Sequence, residues 1–167
     1  PAIAEVLHEY GLLQSRRKPE LLNRRIDVDP ARDLATDPAA VVYDDRACPF
    51  SLTAYRELDR VTAEWARLAA RAEEIGRALP PAHQDAYFQL VLYQVKATAN
   101  LYALRHAQFH NRWYAAQGRA AANGLADLAE ARFADDRALT EHYHTAVAGG
   151  KWRGFQTQPK IGYGDVA

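Results

Sequence analysis

The sequence predicts an all-α fold: a bundle of about five helices around one long central helix, with an irregular C-terminal loop. Three observations carry this expectation. Residues 84–114 contain no Gly and no Pro, and their apolar residues recur at helical spacing: Phe88, Val91, Leu92, Val95, Ala99, Tyr102, Phe109 and Trp113. A second apolar row, Tyr87, Leu90, Leu101 and Leu104, gives this helix neighbours on most sides. No segment alternates convincingly at period two, so no strand is expected.

The elements follow in order. Residues 2–13 read as a helix with Ile3, Val6, Leu7 and Tyr10 on one face, ended by Gly11, the basic cluster Arg16, Arg17, Lys18, and then Pro19. One further turn is expected over 20–23. Residues 27–50, with Pro30, Pro38, Pro49 and several aspartates, read as a long irregular connection. Ser51 is the expected N-cap of a helix over 52–78 whose core row is Leu52, Tyr55, Leu58, Val61 or Thr62, Trp65, Leu68 or Ala69, Ala72 and Ile75. Pro80 and Pro81 force a short turn, so that helix and the central one should pack antiparallel. A bend is expected near Gly118, then a helix to about Arg132. Asp135 reads as the N-cap of a last helix over 136–147, stopped by Gly149 and Gly150.

Composition excludes several function classes. Apolar residues make up 49% and charged residues 25% of 167, ordinary for a globular domain, and the formal net charge is +0. No global field draws the chain to nucleic acid or to an anionic membrane. No apolar run approaches the length of a membrane span. The opening PAIAEVLHEY lacks a basic segment followed by an apolar core, so it reads as helix rather than leader. The single cysteine, Cys48, has no internal disulfide partner and leaves the compartment open. There is no Met, and the chain opens directly on a helical pattern. The expectation is one helical domain, 1–167, cut from a longer multidomain protein.

Several constellations call for weighing as chemistry. Glu5-x-x-His8 and Glu141-x-x-His144 have the spacing of di-iron bundle ligands, with Glu57 or Glu64 as a further carboxylate. The central helix supplies no carboxylate between Asp85 and Asp127, so surface Glu and half-buried His is the favoured reading. His106 and His110 stand at i, i+4, a zinc-compatible spacing, but no third ligand is evident, and helix-facing hydrogen bonding is preferred. The polar row Gln89, Tyr93, Lys96, Asn100 is either a site or a structural set; Lys96 calls for a paired carboxylate such as Asp44 or Asp45. The aspartates Asp27, Asp29, Asp33 and Asp37 do not match a calcium loop, because Pro30 interrupts them. The pairs Asp44-Asp45 and Asp135-Asp136 are not evidence for acid/base work. No cofactor or metal is expected. The tail stands apart: Lys151, Trp152, Arg153, Phe155, Gln156, Gln158, Lys160 and Tyr163 mix aromatic, basic and amide groups in a short non-helical run, suited to docking or to a polar ligand. The contact residues singled out are Lys151, Trp152, Arg153, Lys160 and Tyr163.

Several of these stretches resemble the C-terminal half of glycoside hydrolase family 115, the xylan α-glucuronidases. They are Lys18-Pro19-Glu20-Leu21-Leu22, Phe50-Ser51-Leu52, Asp85-Ala86-Tyr87-Phe88-Gln89-Leu90-Val91-Leu92-Tyr93-Gln94-Val95-Lys96-Ala97, Gly149-Gly150-Lys151-Trp152 and Ile161-Gly162-Tyr163. They run in family order over nearly the whole chain. The resemblance implies a parent enzyme that removes α-1,2-linked glucuronic acid, or its 4-O-methyl ether, from xylan with inversion, using one carboxylic acid and one carboxylate. Those acids lie on a (β/α)8 barrel that precedes this region, so no catalytic residue carries over and the fragment alone is expected to be inert. The tail departs from the family pattern: Lys160 stands where a His is usual, Val166 where an aromatic is usual, and Gly154-Phe155 where methionines follow the GKW motif. The expected role is a helical accessory domain. Its partners would be the upstream barrel, glucuronic-acid-bearing xylan through the tail, and a second copy in a homodimer of a secreted or periplasmic parent. The rival readings are an independent helical binding module and, third, a di-iron bundle.

Overall fold

In the computed structural model the described residues are 1–22, 25–28, 31–33, 35–37, 41–44 and 48–157. Helix α1 spans Ala2–Arg16 and buries Val6 and Leu13. It passes through Gly11 rather than stopping there, because a single exposed Gly only weakens a helix. It ends where Arg17 and Lys18 turn extended, the conformation Pro19 demands of the residue before it. A short 3₁₀ turn, Pro19–Leu21, brings Leu22 into the core.

The connection expected to be irregular contains a small antiparallel ribbon. Strand β1, Arg25–Val28, pairs with β2, Val41–Asp44, in the register Arg25↔Asp44 to Val28↔Val41. Four residues per strand are too few for a period-two pattern to stand out, so the pairing was hidden in the sequence. Asp33 Oδ1 accepts the N–H of Ala35 at 3.0 Å and closes a local turn.

Helix α2 spans Glu57–Ala78, not 52–78. Ser51 caps the preceding 3₁₀ turn, Ala54–Arg56, its Oγ accepting the N–H of Ala54 at 2.8 Å. Glu57 returns the favour by accepting the Ser51 N–H at 2.9 Å. Tyr55 and Arg56 hold left-handed backbone (φ 54° and 47°), which throws Tyr55 outward to 84% exposure instead of into the core. Of the rest of the expected row, Leu58, Val61, Trp65, Leu68 and Ala72 are buried and Ile75 is partly buried against the same core, while Leu52 lies ahead of the helix and is half-buried.

The central helix begins earlier than expected, with Pro81 in the first turn, where its missing N–H is harmless. It runs as α3, Pro81–Tyr87, a π-helical turn, Phe88–Leu92, and α4, Tyr93–Ala116. The π turn inserts one residue into the helical phase, and Leu90 is rotated out to 68% exposure. Gly118 (φ 67°) closes α4. Arg119 N–H reaches Tyr114 O and Gly118 N–H reaches Ala115 O, both at 3.0 Å, a Schellman cap.

Helix α5, Ala121–Thr145, is one element, not two. Asp135 does not cap a new helix; it accepts a 3.0 Å hydrogen bond from Arg132 Nη1 within α5. No Gly or Pro occurs from Leu125 to Thr145, so propagation wins over a local capping preference. Among the described residues the bundle therefore has four helical rods, one of them the α3–π–α4 run, rather than about five. The fold is all-α, as expected, apart from the small ribbon. One core joins α1, α2, α3 and α4 around Val6, Trp65, Tyr87, Val95 and Tyr102, with Trp65 stacked on Tyr102 at 5.3 Å. A second cluster joins α4 to α5 through Tyr93, Ala97 and Tyr143.

Candidate functional site

Three places on this frame gather polar side chains. The first lies where the start of α2 meets the second half of α4. Asp59 follows the strained Tyr55-Arg56 pair and points at His106 and His110, one helical turn apart on α4. Asp59 Oδ1 lies 2.7 Å from His106 Nε2 and 3.4 Å from His110 Nε2. Arg56 Nε holds the other carboxylate oxygen at 2.6 Å. His110 Nδ1 donates to the carbonyl of His106 at 3.0 Å, and the two imidazoles lie 4.2 Å apart. Burial by itself would push the Asp59 carboxyl up. The hydrogen bonds from His106 and Arg56, with the nearby charge of both histidines, outweigh it and hold Asp59 below the usual carboxylate range.

The expected hydrogen bonding of His106 and His110 is present. No third candidate ligand was evident in the sequence; the fold brings one, Asp59, 47 residues away from His106. Among the described residues these three are the one set of His, Cys, Asp and Glu whose ligand atoms lie within 4.8 Å of one another. The Glu-x-x-His motifs do not assemble. Glu5 pairs with Arg71, Glu64 with Arg16, and His144 Nε2 accepts the Gln156 N–H at 3.3 Å.

The second place is a groove of about 720 Å³ with α4 as its floor and α2 and α5 as walls. Ala66, Ala69, Ala99 and Ala103 keep it open, and Lys96, Asn100 and Arg132 project polar atoms toward it. Lys96 is paired with Glu73 of α2, and both are half-exposed. Its expected carboxylate partner exists and comes from the neighbouring helix; the Asp44 side chain and Asp45 lie outside the described residues. Asn100 donates to the carbonyl of Arg132 at 2.8 Å, bridging α4 to α5. Tyr93 is buried in the α4–α5 cluster. The polar row is thus mostly bundle wiring.

The third place is the tail. After α5, Ala148, Gly149 and Gly150 are all left-handed (φ 50°, 64° and 83°), and the chain doubles back. Trp152 packs on the Tyr93, Ala97, Tyr143 cluster. Lys151 and Arg153 on either side are exposed, Lys151 Nζ standing 5.1 Å from the Trp152 ring centroid. Phe155 is 66% exposed. Lys160 and Tyr163, with Gln158 and the Ile161-Gly162 pair, lie outside the described residues. Of the five contact residues expected here, Lys151, Trp152 and Arg153 share one turn, with Trp152 packed inward.

Cys48 is half-buried, and burial pushes its thiol up, against a smaller opposing pull from the Phe50 backbone hydrogen bond. Among the described residues no helix is long and apolar enough to cross a membrane. No protein-family model matches the chain, and no curated protein matches it.

Proposed function

We propose that the chain is the helical accessory region of a family 115-like α-glucuronidase, following a (β/α)8 barrel that carries the catalytic acids. The observation that supports this most is a convergence. Two of the family-like stretches, 85–97 and 149–152, are far apart in sequence yet meet in one cluster; Ile161-Gly162-Tyr163 lies outside the described residues. Trp152 packs against the cluster that Tyr93 and Ala97 form with Tyr143 of α5, and the Asp85 carboxylate accepts the N–H of Ala148, next to the second stretch, at 2.9 Å. A resemblance that picks out contacting residues is easier to reconcile with common descent than with chance similarity between unrelated segments.

In this reading the bundle buttresses the barrel, and exposed apolar side chains such as Leu90 and Phe155 are the docking points. Lys151 and Arg153 are placed to meet an acidic sugar or the barrel surface. The substrate of the parent is glucuronic-acid-bearing xylan, and the parent is a homodimer in a secreted or periplasmic setting. A second reading, an independent helical module that binds a small polar ligand, is favoured by the groove over Lys96 and Asn100.

The test is the complete reading frame that encodes this chain. The proposal expects a barrel with two active-site carboxylates ahead of residue 1, and loss of xylan side-chain hydrolysis when the helical region is deleted. A frame without a barrel overturns it. Titration of the chain with aldouronic acids then separates roles for the tail: weakened binding in Lys151→Ala and Arg153→Ala places sugar there, and no binding at millimolar ligand leaves docking.

A further inference from the structure

The His110 ring poses a problem of charge. Its Nδ1 lies 3.0 Å from the carbonyl of His106, and a carbonyl only accepts, so Nδ1 carries a proton. In a neutral ring the other nitrogen, Nε2, then presents a lone pair. That lone pair faces Asp59 Oδ1 at 3.4 Å, where the carboxylate also only accepts. Two such atoms held face to face in a largely buried place, with the His110 side chain 8% exposed, are bridged either by a proton on Nε2 or by a metal cation.

The geometry points to a divalent transition-metal site, of which Zn²⁺ is the best-suited occupant, ligated by His106 Nε2, His110 Nε2 and Asp59 Oδ1. Bonds of about 2.0–2.2 Å place tetrahedral donor atoms roughly 3.4 Å apart. The Asp59–His110 separation is already 3.4 Å, and the His106–Asp59 separation of 2.7 Å would have to open by ~0.7 Å. A side-chain rotation of the partly exposed His106 achieves that, while its Nε2 proton moves to Nδ1. Two imidazoles and one carboxylate are a donor set suited to zinc and its neighbours in the first transition row.

The surroundings behave as supports for ligands. Arg56 fixes the free oxygen of Asp59, and the His106 carbonyl fixes the tautomer and plane of His110. His106 and Asp59 keep 28% and 21% of their side-chain surface in solvent, so an ion has a way in and a water can complete the coordination. The ion would staple the first turn of α2 to the middle of α4. A bridging proton is the competing occupant, and the experiment separates the two.

The chain, stripped with chelator, is titrated with Co²⁺ and followed by visible absorption, then back-titrated with Zn²⁺. The inference expects one Co²⁺ per chain, a ligand-field band of tetrahedral or five-coordinate type, and bleaching by equimolar Zn²⁺. Asp59→Asn and His106→Ala are expected to weaken binding at least tenfold, and His83→Ala, an exposed histidine on α3, to leave it unchanged. Each variant is checked for folding by circular dichroism. Absence of the band in folded wild-type chain overturns the inference in favour of the proton. So does a band that survives Asp59→Asn at full affinity, or one that His83→Ala removes.

Discussion

The carboxylate of Asp85, on the first helical segment of the central rod, accepts the backbone N–H of Ala148 at 2.9 Å and so ties that rod to the turn that follows α5. Ala148 holds a left-handed backbone that a residue with a Cβ adopts reluctantly. A charge-assisted bond to its N–H offsets that strain. Asp85→Ala is expected to lower stability by about 1 kcal/mol in urea unfolding and to speed exchange of the Ala148 amide. Unchanged exchange would remove this tie from the account.

Two glycines in helices should respond in opposite directions to alanine. A Cβ on Gly76 would meet Tyr87 Cε1 at 3.1 Å and Cδ1 at 3.3 Å, whereas one on Gly11 meets nothing within 4 Å. Tyr87 cannot easily retreat, because its hydroxyl donates to the carbonyl of Ala72 at 2.9 Å. Gly11→Ala should therefore stabilise by up to about 1 kcal/mol through helix propensity. Gly76→Ala should destabilise by about 1 kcal/mol, as overpacking exceeds the same propensity gain. Thermal unfolding of the two variants checks both signs.

Lys96 and Glu73 join α4 to α2 at a half-exposed position. Exposed pairs contribute little, so a double-mutant cycle with Lys96→Met and Glu73→Gln should give a coupling below about 1 kcal/mol. A larger coupling would mean that the groove is drier than its exposure indicates.

The Asp59 carboxyl is held below its ordinary value in the folded chain. The unfolded state then binds its proton first as the solution is acidified. The stabilisation this gives is complete above the unfolded value of about 3.9 and is lost as pH falls through the lower folded value. In metal-free protein, Asp59→Asn should be less stable near neutrality and should lose part of the acid-side slope of stability against pH. A slope identical to the wild type would show that Asp59 does not titrate differently on folding.

Much of the frame was legible from the residues. The run without Gly or Pro through 84–114 announced the central rod, Gly118 announced the end of that rod and Gly149-Gly150 the end of α5, because helix breakers act locally. The failures are equally physical. Asp135 looked like a cap, but capping matters only where a helix must end, and nothing near Asp135 ends it. Ser51 was read as the cap of α2 and instead caps the turn before it, since the sequence does not show the left-handed excursion at Tyr55 and Arg56. The β1–β2 ribbon is a non-local pairing of short strands. The site was half visible: the i, i+4 spacing of His106 and His110 could be read, but Asp59 joins them only through the antiparallel packing of α2 on α4. An aspartate one turn into a helix that packs against a His-x₃-His helix was the available signal.

The most direct test of the functional proposal is proton NMR of the sugar released from glucuronoxylan by the full-length polypeptide that contains this chain. The account predicts that (4-O-methyl)glucuronic acid appears first as the β-anomer, by inversion of the α-linkage, and that the 167-residue chain alone releases none. No release by the full-length polypeptide, or release by the isolated chain, would contradict it.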